Sequence, residues 1–596
     1  MFKKINNVFS LLDRKNKYYL FLVIFLAFIS SALDLIGVVS VIPFLSLLVD
    51  SSLLNENPYL RKINLFLGYD NNEFLIFLGI VSFILIFLNQ LVRFISKIIS
   101  INFSRKLIYE MTSEVFNFYL KQPFSFFSTQ NKSLLIQKCT SYVEHLISGT
   151  LSPYILIFSQ ILTTSIILIF LLFYQSSIVI ILTLILLSYY FLFYRKVSKK
   201  FNQISKNYSK YYEGFSKSLG DAFGVIQQLK LFKNNYFKNN FNFSAKLYKN
   251  AYIQQQFYSL LPSHFIEVIA YGGILIISLF LFFQSEDLKN TIPVLGVIAV
   301  SLRRIIPGIQ EIYLQVLQIR FHAEVYKKIY PDLKKIKNFK EKNTIKSYSS
   351  NIKFNKDLKI KNLRYKYKNS KNKINITAKI KKGEFIGVCG KTGAGKSTFI
   401  NILSGLLKKE HGDINLDGKP VQIFENHQWK KKIGYATQDR YIINDTIINN
   451  ISLGENRNKN HLKNIKKLCK IVDLEKHIKK LKSKYNTKLG DSGLRLSGGQ
   501  EQKIVIARAL YNNPEIIIFD EATNALDSIS EVKVLRNIKN NFKKATLIFI
   551  THRINSLKNC DKILFLENSK VKKFGKFNVL RKREANFNKL ITVNKN

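Results

Sequence analysis

The nine residues Gly390-Lys391-Thr392-Gly393-Ala394-Gly395-Lys396-Ser397-Thr398 decide the fold of this chain. They follow an apolar, strand-like run, Phe385–Cys389, and open an apolar-periodic helix, Phe399–Leu407. A glycine-rich turn between a buried strand and a helix lets backbone N–H groups curl around phosphate oxygens, and the helix N-terminus adds its positive end. Lys396 supplies a point charge to the phosphates and Ser397 a hydroxyl to Mg²⁺. Working outward, an alternating run at Leu358–Tyr367 reads as a strand. A second apolar strand, Ile516–Phe519, ends in Asp520-Glu521. Asp520 fits a carboxylate that holds Mg²⁺, and Glu521 is placed to polarise an attacking water as general base. Between these strands lies Leu496-Ser497-Gly498-Gly499-Gln500, a serine and two glycines opening a helix, hence a second phosphate-binding nest. One chain cannot easily bring both nests to one nucleotide.

The rest of the 596-residue chain is of a different kind. Its formal net charge is +52, a balance that points to nucleic acid, anionic membrane or disorder. Forty-eight Phe and 30 Tyr exclude disorder. Lys, Asn, Ile, Phe and Tyr are abundant throughout, as codon bias in an AT-rich genome would give, so the position of the charge carries more than its total. Before about residue 320 the chain holds six apolar segments close to the ~20 residues needed to cross a bilayer: Tyr19–Val49, Phe74–Ile95, Leu146–Tyr174, Ile178–Tyr194, Phe257–Phe283 and Ile292–Leu317. Six such runs cannot hide in a soluble core. The first is too long for a signal-peptide core and lacks a small-residue cleavage site. Basic residues cluster at the N-terminus and between Arg195 and Gln255, where twelve Lys/Arg face only Glu213 and Asp221. Both termini and the two long connections are therefore expected on the cytoplasmic side. Those connections keep a helical pattern with few Gly or Pro, so each is expected to extend the spans as arms below the bilayer. Four cysteines without CxxC spacing argue against a zinc site or a disulfide framework.

Taken together, these motifs resemble the ATP-binding cassette (ABC) transporters, and Leu496–Gln500 matches that family's signature. The resemblance implies a six-span α-helical transmembrane domain over residues 1–330 with long cytoplasmic helical extensions, a linker over 331–351, and an α/β P-loop NTPase domain over 352–596. It implies ATP and Mg²⁺ as cofactors and no nucleic-acid partner. Tyr367 falls where the family stacks an aromatic on adenine, with Tyr365 as a nearby alternative. Gln438 matches the glutamine that contacts Mg²⁺ and the attacking water, and His552 the switch histidine that contacts the γ-phosphate. Asn524-Ala525-Leu526-Asp527 matches the loop that crosses to a partner cassette, with Asn524 where Ser is usual. Gly490-Asp491-Ser492-Gly493 carries Asp where many exporters carry Glu. Each motif occurs once, so the resemblance implies a half-transporter acting as a homodimer in the bacterial inner membrane, with stretches Lys121–Gln130 and Leu219–Gln227 as candidate coupling helices.

Charged residues inside spans are costly and are usually functional or paired. Here they are Asp34, Arg93, Glu267, Arg303, Arg304 and Glu311, with His264 at the start of the fifth span. They read either as ion pairs between spans, such as Asp34 or Glu267 with an arginine, or as a cationic belt of Arg93, Arg303 and Arg304 around a cavity suited to phosphate or carboxylate. Leu33–Phe44, Ser301–Pro307 and the outer loop Asn55–Asn72 are similar to the subgroup containing lipid-linked oligosaccharide flippases, although Pro262–Glu267 lacks an arginine expected there. The expected cargo is a lipid-linked saccharide or another anionic amphipathic lipid. A peptide or hydrophobic-drug exporter is the alternative. A gated channel needs no intact Glu521 and His552, and a soluble cassette ATPase does not need six spans.

Overall fold

The computed structural model describes residues 2–49, 51, 54, 57–174, 176–232, 235–284, 288–342, 352–366, 373–455, 460–490 and 495–588. The chain divides into two compact units: residues 1–121 with 131–344, and residues 122–130 with 345–596.

The first unit is helical. Among the described residues three helices are long and apolar enough to cross a membrane: Arg14–Val49, Asn71–Leu120 and Lys132–Phe173. The other three apolar segments lie on helices Ser176–Gly224, Tyr236–Gln284 and Leu288–Phe321, where many side chains of the apolar stretches fall outside the described set. A 50-residue helix such as Asn71–Leu120 runs about 75 Å, against a hydrocarbon core of about 30 Å. The surplus length forms the arms anticipated from the connection pattern. In the connection between the first two long helices, Pro58–Leu67 is a helix capped by the Asn57 side chain at its start and by Gly68 at φ 67 at its end.

Two sequence readings are corrected here. The linker expected over residues 331–351 is helical in its first part, because helix Ala323–Lys342 runs through Pro331, and residues 343–351 lie outside the described set. Its stripe of Ile329, Leu333 and Ile336 is buried, and Asp332 accepts from the Tyr119 hydroxyl at 2.7 Å and the Lys138 ammonium at 2.6 Å. Packing of that stripe outweighs the dense lysines that read as linker. The candidate coupling stretch Leu219–Gln227 is broken at Val225, between helices Ser176–Gly224 and Ile226–Leu231. The other candidate, Lys121–Gln130, contains helix Phe124–Thr129 and apart from Lys121 belongs to the second unit.

That second unit is built on ten described strands: β1 Asp357–Lys366, β2 Lys373–Lys381, β3 Phe385–Gly390, β4 His411–Leu416, β5 Lys419–Pro420, β6 Ile433–Ala436, β7 Ile516–Asp520, β8 Thr546–Ile550, β9 Lys562–Glu567 and β10 Lys570–Gly575. They order as β5-β4-β1-β2-β10-β9-β3-β8-β7-β6. From β9 through β3, β8 and β7 to β6 every pairing is parallel, and the β1, β2, β4 and β5 pairings with one another are antiparallel. Every residue of β3, β7 and β8 is buried, which explains why these strands read as continuous apolar runs rather than alternating ones. The Trp429 ring is fully buried beside them and its indole N–H donates to the Leu403 carbonyl at 2.8 Å.

One carboxylate ties the antiparallel edge together. Asp417, at φ 52 in the turn between β4 and β5, accepts the backbone N–H groups of Asn355, Lys356 and Asp357 at 2.7, 2.7 and 3.0 Å. Burial opposes its charge, but these donors, helped by Lys382, hold its carboxyl below the ordinary 3.8. A depressed folded-state value stabilises at neutral pH and loses that contribution as pH falls through it. Asp417→Ala is therefore expected to lower stability by about 1–2 kcal/mol at pH 7, solvent keeping the figure at the modest end. Melting curves of the detergent-purified protein should show that gap narrowing below pH 3.8, and an unchanged melting temperature at pH 7 would contradict the assignment.

Candidate functional site

The parallel strands end at one edge, and the chemistry-bearing residues stand there because nothing polar fits inside strands buried on both faces. β3 delivers Gly390, and helix Lys396–Leu403 begins six positions later. Gly395 at the N-cap has φ 89, and a Cβ there would meet Ile374 Cγ2 at 2.6 Å, so the loop needs glycine at this position. Lys396 is 7% exposed. Its ammonium donates to the carbonyls of Gly390 at 2.8 Å and Lys391 at 3.2 Å, so the cation lies folded over the loop. Burial lowers its pKa, opposed by the charge of Glu521 and, more weakly, by Cys389 and Asp520. A phosphate oxygen offers this ammonium a full opposite charge where the loop offers carbonyl dipoles, so anion binding relieves the cost of its burial.

β7 ends in Asp520, whose Oδ2 accepts from the Tyr435 hydroxyl at 3.0 Å. Burial raises its pKa, the Tyr435 hydrogen bond counters, and neighbouring Glu521 raises it again. Glu521 leaves the strand at φ 53, a left-handed conformation unusual for a residue with a side chain, and its N–H donates to Ile550 O at 3.1 Å. This anchors Glu521 to the end of β8, from which His552 follows. Glu521 Oε1 lies 2.7 Å from His552 Nε2, and Oε2 accepts from the Asn524 amide at 3.1 Å.

One cleft of 610 Å³ gathers these groups. Thr392, Gly393, Gly395, Lys396, Ser397 and Thr398 line one side, with Gln438, Glu521 and His552 also on its wall. Tyr365 lines it too, while Tyr367 lies outside the described residues, as does Asp491. Lys391 and Ala394 line a neighbouring cleft of 380 Å³ together with Ser569, which faces both. Asp520 and Gly390 stand behind the wall. Ser397 and Gln438 line the cleft and Asp520 ends strand β7, so hydroxyl, amide and carboxylate oxygens of the kind magnesium takes are offered at this edge.

Ser497, Gly498, Gly499, Gln500 and Asp527 do not line this cleft. Ser497 instead caps helix Gly498–Leu510: its side chain accepts the Gln500 N–H at 3.4 Å, and Gln500 Oε1 accepts the Ser497 N–H at 3.0 Å. Asp527 caps helix Ser528–Asn541 by accepting the Ser530 N–H at 2.8 Å, which pulls its carboxyl down. The second nest thus stands well formed but away from the first.

Sequence reasoning missed three residues of this edge: Tyr435, Ser569 and Arg553. Tyr435 lies three residues before Gln438, yet its bond to Asp520 spans 85 positions and no local pattern announces it. In the first unit, Arg93 and Arg304 are not free-standing cavity groups: both pair with Asp34, Arg304 Nε at 3.5 Å. Asp34 is 2% exposed and also accepts from the Asn89 amide at 2.6 Å. Arg303, one residue earlier, is exposed.

Comparison with known proteins agrees with this architecture. Residues 20–306 match the family model of the ABC transporter transmembrane region, and residues 374–524 match the ABC transporter model. The chain is 39% identical over 227 residues to the alpha-hemolysin translocation ATP-binding protein HlyB of Escherichia coli, covering 37% of this chain and 31% of that protein. It is 38% identical over 226 residues to the leukotoxin translocation ATP-binding protein LktB of Mannheimia glucosida, covering 38% of this chain and 32% of that one. The chain thus spans about a third of the length of these curated relatives. A solved structure of a bacterial Atm1-family ABC exporter with ATP bound has the same fold, with a TM-score of 0.75 over 98% of each chain at 18% identity. Matched in its helical half by one model and in its sheet half by the other, the chain belongs to the ABC transporter family.

Proposed function

We propose that this chain is an ATP-hydrolysing membrane exporter or flippase that works as a homodimer, two cassettes closing head to tail over two nucleotides. The observation that carries this reading is the single cleft on which Lys396, Ser397, Gln438, Glu521 and His552 converge, with Ser497–Gln500 held outside it. The Ser497–Gln500 segment of a second copy completes each cleft. Lys396 and the loop would bind the phosphates, while Ser397, Gln438 and Asp520 would hold magnesium. Bound magnesium supplies neutralisation of the charge that develops on the transferred phosphoryl group. Glu521 takes the proton of the attacking water, and His552, on its Oε1, orients it. Closure on ATP draws the helical arms together and hydrolysis releases them, an alternation driven by different ATP affinities of two states. The protein sits in the bacterial inner membrane with both termini and the cassette on the cytoplasmic side, as the lysine distribution supports.

For cargo, an amphipathic lipid carrying phosphate, such as a lipid-linked saccharide, remains the leading reading. Of the three arginines, Arg303 bears it most directly, because Arg93 and Arg304 already share the Asp34 carboxylate. Export of a polypeptide is the second reading, favoured by the translocation proteins among the relatives.

Replacing Glu521 by Gln is expected to cut steady-state ATPase by at least about 100-fold while ATP still binds and the closed dimer accumulates. Hydrolysis at the unmodified rate would remove Glu521 from the role of base. Arg303→Ala should reduce ATP-dependent flipping of a fluorescent pyrophosphate-linked lipid in proteoliposomes by about tenfold or more, the loss of one charge-assisted contact. An unchanged flipping rate would rule out this arginine as a cargo contact and turn the search to peptides.

A further inference from the structure

We propose that Arg553 is a positioning residue that sets the Glu521–His552 pair against the loop Asn524–Asp527, a role resting on the reading of Glu521 as general base. Four links close a ring. Glu521 Oε1 meets His552 Nε2 at 2.7 Å, and His552 is joined by its peptide bond to Arg553. Arg553 Nη2 donates to the Asn524 carbonyl at 3.1 Å. The Asn524 amide returns to Glu521 Oε2 at 3.1 Å. Both oxygens of the base are thereby tied, one to the switch histidine and one to the crossing loop, and Arg553 is the strut between those two elements.

The strut is itself fixed. Arg553 Nη1 donates to the Leu526 carbonyl at 2.9 Å and to Glu531 Oε2 at 3.0 Å. Glu531 is 2% exposed, and its other oxygen accepts from the Thr523 hydroxyl at 3.0 Å. A buried carboxylate with each oxygen bonded holds the guanidinium in one orientation, and only a planar fork reaches two carbonyls and a carboxylate at once. A further contact to the loop comes from the helix that Ser497 caps, where the buried Gln502 accepts the Ala525 N–H at 2.8 Å. The chain departs from the usual Ser at Asn524, and a longer amide is what spans the gap to Glu521.

A purely structural arginine would stabilise Glu531 and leave turnover per folded molecule alone. A positioning arginine changes kcat without changing how ATP binds, because displacing a reacting group by about 1 Å costs about 100-fold. The test is steady-state ATPase of the full-length protein in detergent with Mg-ATP, alongside melting temperature. Arg553→Ala is expected to lower kcat about 10- to 100-fold with KM for ATP within about twofold. Because that change strands a buried carboxylate, Asn524→Ala is the companion variant: it leaves the Arg553–Glu531 pair intact, keeps the melting temperature, and should lower kcat about three- to tenfold at unchanged KM. The double variant should be no slower than Arg553→Ala alone, since both cut one ring. Unmodified kcat in either single variant, or losses that multiply in the double, would overturn the proposal. Full turnover by Glu521→Gln in the same assay would instead overturn the general-base reading beneath it.

Discussion

The constraint on which the cassette depends is the complete burial of β3, β7 and β8. A strand covered on both faces has no room for a charge along its length, so each polar group it carries is displaced to the residue where the strand stops. Because these three strands run parallel and adjacent, their stops coincide. Gly390, Asp520 and Thr551 with His552 follow in space as neighbours although their sequence positions are far apart. The phosphate loop, the paired acids and the histidine are consequences of one packing rule applied three times.

The electrostatics of that edge are held in partial satisfaction. Lys396 rests on two carbonyls of its own loop, Asp520 is stabilised by a tyrosine hydroxyl, and Glu521 divides its two oxygens between a histidine and an amide. Each of these partners is neutral or weakly charged, so a bound polyphosphate with its metal offers every one of them a stronger partner. A site arranged in this way has its polar groups partnered before a nucleotide arrives and still gains by its arrival. The well-capped nest at Ser497 faces elsewhere, and in the proposed homodimer it completes the opposite cleft.

Much of this was readable in order of residues because the decisive signals are local. A loop between an apolar strand and a helix, an acid pair after an apolar strand, and a capped Ser-Gly-Gly-Gln start each fit within a dozen residues. The failures have a common physical cause. Helix Ala323–Lys342 reads in part as linker because lysines are frequent in it, whereas burial of every third or fourth residue decides its structure. The intramembrane arginines were legible as either ligands or ion pairs, and only the third dimension shows Asn89, Arg93 and Arg304 meeting on Asp34. Tyr435 and Arg553 carried no pattern at all, since their partners lie on other elements. Tyr365 stands on the cleft, and Tyr367 lies outside the described residues.

The cluster on Asp34 has a bearing on how the protein is made. Its carboxylate belongs to the first long helix, two of its partners to the second, and the third to a helix about two hundred positions later. An isolated first segment would enter lipid with a bare carboxylate, and an isolated second one with a bare guanidinium, each at about 2.5–3.5 kcal/mol. Paired with each other, Asp34 and Arg93 neutralise one another between the first two long helices, which lowers that cost. A first pairing of the two early helices is thus favoured, and Arg304 joins the late helix to the same carboxylate while leaving the cluster one positive charge in excess.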